Sequence, residues 1–256
     1  MSLAIIISGL ITGLLLGIFG SGGSIITTPA LLYLLEVEAK SAIAMSLGIV
    51  AVTATITAFQ HWRWGNVNLK VTAVLGVFGV MGTYAGALLG VITPVVIQLT
   101  VFALVMYAAA YKMLKPQHKS VGAAAVADCF DGSCDELQYT HIAIHGIAVG
   151  VLTGVVGVGG GFLIVPALVL LSGLPMKQAV GTSLSIVALK SFAGFAGYAG
   201  AVEINYVLMA NFTAIAIVGS VIGSLISKHL PSTLLQRGFG LFLLFVASYI
   251  LFKSVI

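Results

Sequence analysis

The chain has 256 residues, of which 60% are hydrophobic and only 7% charged, with a formal net charge of +4. Apolar runs of about 20 residues, the length that crosses a bilayer, recur along it, which excludes a water-soluble globular domain. The bases fall between those runs, so they read as an orientation signal and not as a nucleic-acid surface. One all-α polytopic membrane domain over 1–256 is expected, because lipid accepts most of the apolar surface.

Residues 1–12 carry no basic leader, and a cleaved signal peptide is not expected. The first element, about 3 to 35, is broken: "GIFGSGGSIITTPAL" at 17–31 sets four glycines and a proline inside an apolar run, a poor recipe for a continuous helix. Three ordinary spans follow near 41–60, 69–91 and 95–114, closing a first repeat over 1–114. Residues 115–140 form a polar linker with Lys115, Lys119, Asp128, Asp131, Asp135 and Glu136, expected in the cytoplasm. Its Cys129 and Cys134 could close a small disulfide, but no second pair or spaced histidine completes a zinc set, and an ordinary polar loop is the plainer reading. The second repeat, 141–256, opens with another broken element (141–172, containing "GVVGVGGGFLIVPAL" at 154–168) and continues with spans near 178–200, 205–227 and 232–252.

The two halves align at one offset: Gly13 pairs with Gly150, and 150 − 13 = 137. That offset pairs Gly20, Gly22, Gly23 and Pro29 with Gly157, Gly159, Gly160 and Pro166. It also pairs "KSAIAMSLGIVA" with "KQAVGTSLSIVA", Asn68 with Asn205, and Pro94 with Pro231, without a gap over about 90 residues. Two equivalent halves imply a site between them. Small residues four apart, Gly82 with Gly86 and Gly146 with Gly150 and Gly154, are placed for close helix packing.

Charge chooses between two topologies. If each broken element crosses the membrane, Arg63, Lys70, Lys112, Lys115, Lys119 and Lys253 lie on one face and Lys40, Lys177, Lys228 and Arg237 on the other. If it dips in and returns, only Lys40 and Lys253 lie apart from the other eight, which obeys the positive-inside rule far better. Re-entry gives each half three crossings, so the halves are inverted and both termini are extracytoplasmic.

A helix that restarts in mid-membrane after "GSGGS" or "GVGGG" aims free N–H groups and about half a positive charge at a cavity, a setting for an anion. The candidate substrate contacts there are Gly20, Ser21, Gly22, Gly23 and Ser24, with Gly157, Gly159, Gly160 and Gly161. Alternatively the glycines only permit close helix crossing. Ser46, Thr182 and Ser183 supply hydroxyls from the next span, although such groups often bond back to their own helix. Lys190 falls near the middle of its span, where charge is costly and tends to face a cavity unless it snorkels out; its repeat partner is Thr53. Gln60 and His61 close a span beside aromatics, as a candidate gate or as interfacial anchors.

Acids are missing from the spans: Glu36, Glu38 and Glu203 sit at span ends, which argues against cation transport and a carboxylate proton relay. His141 and His145 share a helix face without a third ligand, so no metal is expected. With no phosphate loop, serine elbow or nucleophile–base pair, the chain is not expected to be an enzyme or to carry a cofactor.

The duplicated G-x-x-G-x-G-G-x-x-x-x-x-P-A-L core, with "AVGTSLSIVALKSFAGFAGY" and "AIAMSLGIVAVTATITAFQHWRWGNVN", resembles the TauE/SafE sulfite-exporter family over essentially the whole chain except the linker. The resemblance implies a carrier of small sulfur oxyanions and organosulfonates, such as sulfite or sulfoacetate, in the bacterial inner membrane. It places substrate contacts at 20–24, at 157–161 and around Thr182 and Ser183. The first half departs from the pattern with Met45 where the second has Thr182, and with Ser21 and Ser24 where it has Val158 and Gly161. The expected partners are a small anion and the bilayer, with an oligomer left open and no nucleic acid. Uncoupled export is the simpler direction, since an inside-negative potential drives anions out. Proton-coupled import is the alternative within the same class. A non-transporting anion sensor or assembly factor working through residues 120–136 is the alternative from another.

Overall fold

The computed structural model describes residues 3–20, 22–92, 95–114, 147, 150, 151, 161–170, 174–198 and 203–255. The linker, both cysteines, His141, His145, Ser21, Gly157, Gly159 and Gly160 lie outside the described residues. Every regular element among those described is helical. In chain order they are α1 (Leu3–Phe19), α2 (Gly22–Pro29, continued as a π-helical turn over Ala30–Leu34), α3 (Ala39–Arg63), α4 (Leu69–Ile92), α5 (Val95–Leu114), α6 (Gly161–Leu170), α7 (Met176–Tyr198), α8 (Tyr206–His229) and α9 (Ser232–Val255). The spans Ser41–Arg63, Met176–Ala196 and Tyr206–His229 are long and apolar enough to cross a membrane. The chain is a membrane protein. The π turn begins at the residue after Pro29, which has no N–H to donate to the ladder, so the wider turn carries the chain past it.

Local chemistry sets the ends. Asn68 Oδ1 accepts from the Val71 amide at 3.1 Å and Asn205 Oδ1 from the Leu208 amide at 3.0 Å, so each asparagine caps the helix that follows it. The Val37 amide donates to Leu31 O and the Leu174 amide to Leu168 O, both at 3.0 Å. This is the closure expected where a helix ends in a left-handed residue, and Glu36 fills that position with φ 51°. Both pairs of bonds are 137 apart in sequence, as are the starts of α3 and α7 (176 − 39), α4 and α8 (206 − 69), and α5 and α9 (232 − 95).

Packing fixes the directions. Gly48 lies against Phe195, Gly194 against Leu47, and Gly181 against His61 and Asn66, so α3 and α7 run antiparallel. Tyr107 Oη and Ser248 Oγ share a hydrogen bond of 2.7 Å, and Gln236 Nε2 donates to Met113 O at 3.3 Å, so α5 and α9 run antiparallel too. By contrast α1 runs parallel to α8: Gly9 abuts Phe212 and Ile215, Gly13 abuts Ala216, and Gly17 abuts Ser220 and Ser224. Helix α3 also runs parallel to α8, with Gly48 beside Met209 and Gln60 bonded to Ser224.

It follows that α1 and α3 point the same way and that α2 runs back between them. Gly23 of α2 packs on Leu16 and the Thr12 carbonyl of α1, the contact of a hairpin. The hairpin tip, Gly20, reaches the end of the bundle where α3 finishes and α7 begins. Arg63, Lys70, Lys112, Lys177, Lys228 and Arg237 lie at or near that end, whereas Glu36, Glu38 and Glu203 lie at the other.

Small residues make these approaches possible. A Cβ on Gly13 or Gly17 would collide with the backbone of Ala216 or Ser220, so the α1–α8 seam is backbone against backbone, the packing that lipid-embedded helices favour. Gly82 of α4 makes the corresponding approach to Ile147 and Gly150, with a hypothetical Cβ only 2.5 Å from Ile147 O.

Candidate functional site

Phe19 ends α1 and Gly20 turns the chain with φ 77°, a region that L residues avoid. Its amide still donates to Leu16 O at 2.8 Å. The turn is pressed onto α7: a Cβ on Gly20 would stand 2.9 Å from Val180 O. Ser183 Oγ donates to Gly20 O at 3.2 Å, so a hydroxyl from α7 satisfies a carbonyl that the broken helix leaves open. One residue earlier, Thr182 Oγ1 accepts from the Asn68 amide at 3.1 Å, tying the loop before α4 to the same turn of α7. Thr182 and Ser183 are fully buried.

Gln60 and His61 stand beside this tip. Gln60 Oε1 accepts from Ser224 Oγ at 2.6 Å, a bond between α3 and α8. His61 is 2% exposed and neither ring nitrogen has a hydrogen-bond partner among the described residues, while Trp64 meets its ring edge-on at 5.2 Å. Lys228 Nζ sits 4.9 Å from the Trp64 ring centre, and Lys177 Nζ donates to Lys228 O at 2.8 Å. A basic rim therefore overlies a closed set of hydrogen bonds at one end of the bundle. His61 is buried and Gln60 is bonded across to Ser224, so neither side chain stands free at the surface.

The remaining candidates lie elsewhere. Ser46 accepts from Thr28 Oγ1 at 3.0 Å, and the antiparallel register sets it at the opposite end of the α3–α7 pair from Ser183. Ser46 and Ser183 are not brought together. Gly22, Gly23 and Ser24 form the first turn of α2, and Gly161 opens α6.

Lys190 lies midway along α7, and the same register sets that turn opposite Thr53 of α3. It is only 9% exposed, so it does not snorkel to an interface. It lines a cavity of about 10 Å³ with Leu75 and Gly79 of α4, Ile186 of α7, Gly150, and Ile164 and Ala167 of α6, enough for about one water. No hydrogen bond or ion pair holds Lys190 among the described residues. The seven acids of the chain all lie at helix ends or in 115–140, so none can pair with Lys190 from within a span.

Sequence reasoning missed Ser224 as the partner of Gln60, and missed Gly9, Gly13 and Gly17 as the seam under the hairpin. The spacing of those glycines, four apart, was the available signal. It also missed Leu75 and Ile164 at the lysine cavity, which no pattern in the sequence singles out.

The family model described as "Sulfite exporter TauE/SafE" matches residues 5–250. A "Probable membrane transporter protein" of Xylella fastidiosa (strain Temecula1) is 31% identical over 250 residues, covering 96% of this chain and 94% of the relative. The "Probable membrane transporter protein YdhB" of Bacillus subtilis is 26% identical over 253 residues, covering 94% and 99%. A similarly described protein of Methanocaldococcus jannaschii is 28% identical over 219 residues, covering 83% and 78%. No solved structure matches the chain.

Proposed function

Because the chain belongs to the TauE/SafE sulfite exporter family, a family of membrane transporters, we propose that it is a secondary transporter that exports small sulfur-containing anions, sulfite or short organosulfonates, across a bacterial inner membrane. One observation carries the mechanism: helices related by the offset of 137, α3 with α7 and α5 with α9, pack antiparallel. That relation is what two inverted repeats produce, and it supports two halves (1–114 and 141–256) that exchange conformations to alternate access. The hairpin of α1 and α2 supports the re-entrant reading, which puts the basic rim and the linker in the cytoplasm and both termini outside.

In this reading the Gly20 tip, Ser183 and the Gln60–Ser224 bond are the cytoplasmic gate in its closed form. Ser46, the repeat partner of Ser183, is its counterpart at the outer end. The anion passes between them, where Lys190 offers a positive charge and no carboxylate competes for it. Each negative charge leaving the cell gains about 2.3 kcal/mol per 100 mV of inside-negative potential, so export needs no coupling ion.

The test is sulfite and sulfoacetate flux in proteoliposomes at clamped potential. Efflux that rises with the driving potential is expected. Flux indifferent to potential overturns uncoupled export, and absence of flux for these and other small anions overturns the transporter assignment for this chain.

A further inference from the structure

Resting on that reading, we propose that the chain holds one anion at a time, in an asymmetric subsite with no equivalent at the repeat-related position, with Lys190 binding the charged head and Leu75, Ile164 and Ile186 forming an apolar wall. The offset of 137 sets the position around Lys190 beside its repeat-related counterpart, which also draws on both halves. Lys190, Leu75, Gly79, Ile164 and Ile186 correspond to Thr53, Phe212, Ala216, Thr27 and Ile49. All five of the latter are buried, and Phe212 is 0% exposed. Phe212 pairs with a leucine and Ala216 with a glycine, so the repeat-related position is filled with side chain where the Lys190 position leaves a cavity. Thr53 has no charge to offer and its hydroxyl bonds back to Ile49 O at 2.7 Å.

Two departures from the repeat thus coincide: bulk is removed from α4 and a cation is added on α7. A structural lysine would have an acid or a set of carbonyls for company. Lys190 has apolar walls and no partner among the described residues. The ligand that answers this lining is an oxyanion with a short apolar substituent, a small alkyl sulfonate, its head on the ammonium and its carbon against Leu75 and Ile164. The cavity as it stands admits about one water, so the sulfonate enters as α6 and the Gly150 shoulder separate from α4 and α7.

Calorimetry on the full-length chain in detergent, with methanesulfonate and sulfite as probes, tests this alongside flux. Wild type is expected to bind one methanesulfonate per chain. Lys190→Thr, which copies the first half, is expected to weaken binding about tenfold or more, the scale of a lost charge-assisted contact. It should also melt higher, since a buried charge is gone. Lys190→Arg should retain binding, and Leu75→Phe should weaken methanesulfonate more than sulfite while keeping a cooperative melt. Two sites per chain, or unchanged binding and flux in both Lys190→Thr and Leu75→Phe, would overturn the subsite and leave the transporter reading standing. A wild type that neither binds nor moves any small anion would remove both.

Discussion

Ser183 Oγ donates to the carbonyl of Gly20 at 3.2 Å, a contact between residues 163 apart that joins the first broken helix to the second half of the chain. The bond and the positive φ of Gly20 contribute differently, and mutation separates them. Ser183→Ala removes a net contribution of about 1 kcal/mol and leaves one buried carbonyl to water or to substrate. Gly20→Ala forces a methyl to within 2.9 Å of Val180 O in a conformation that alanine resists, so it should cost about 2 kcal/mol or more. Melting in detergent should rank wild type above Ser183→Ala and that above Gly20→Ala. The reverse order would mean that the tip is held by something other than its backbone shape.

The α1–α8 seam makes a sharper contrast between two glycines. A Cβ at Gly13 would run into the backbone of Ala216, which no rotamer change relieves, whereas at Gly76 the nearest atom is Leu189 Cδ1 at 3.8 Å. Gly13→Ala should therefore destabilise by about 1–3 kcal/mol through separation of the helices. Gly76→Ala should be neutral or slightly stabilising, because alanine is the better helix former. Equal melting temperatures for the two variants would refute the tight seam.

Much of this fold was legible because the bilayer makes demands that sequence cannot hide. Apolar runs had to be long, and the observed helices α3 to α5 and α7 to α9 lie within a few residues of the spans expected from hydropathy. Helices α1, α3 and α8 run parallel with α2 turned back between α1 and α3, and the membrane side of that turn is the proposal that the count of lysines and arginines supports. The candidate site was legible only in parts. Gly20 stands out by its repeat register and Ser183 as a hydroxyl, and the two meet, while Thr182 next to Ser183 bonds the Asn68 amide instead. Ser46 stands out as a hydroxyl too but lies at the far end of α3, because repeat partners in an antiparallel pair are separated along the axis unless they sit at its middle. Thr53 and Lys190 are the pair that sits there. The partnership of Gln60 with Ser224 depends on how α8 is rotated against α3, and a single sequence carries no record of that rotation.

Glu36 offers a test of local backbone strain far from the tip. It adopts φ 51° at the end of the first broken element, where the offset of 137 puts a glycine, Gly173, in the second half. The exposed Glu36 side chain has no visible reason to hold a left-handed residue there. Glu36→Gly should stabilise the protein by up to about 1 kcal/mol, since glycine takes that conformation without steric penalty. A rise of a few degrees in melting temperature with unchanged flux is expected, and a fall would mean that the carboxylate has a stabilising role at the acidic end.

Ser224 and Ser220 lie one turn apart on α8 and differ in a way that isolates the bond to Gln60. Ser220 Oγ donates only within its helix, to Ile217 O at 2.9 Å, whereas Ser224 Oγ reaches both Val221 O at 2.9 Å and Gln60 Oε1 at 2.6 Å. Both serines are buried and both would become alanine with little change of volume. Each change should therefore have a small effect on packing, but Ser224→Ala alone releases α3 from α8 beneath the basic rim. If that bond holds the cytoplasmic end shut, its loss, worth about 1 kcal/mol, shifts the population toward the open form by about fivefold. Initial efflux should then rise in Ser224→Ala, and a reactive cysteine placed at Ser183 should be labelled faster from the cytoplasmic side than in the wild-type background. Ser220→Ala should leave both rates near wild type. Equal behaviour of the two variants would show that the Gln60–Ser224 bond is packing detail and that closure at this end rests on the Gly20 tip alone.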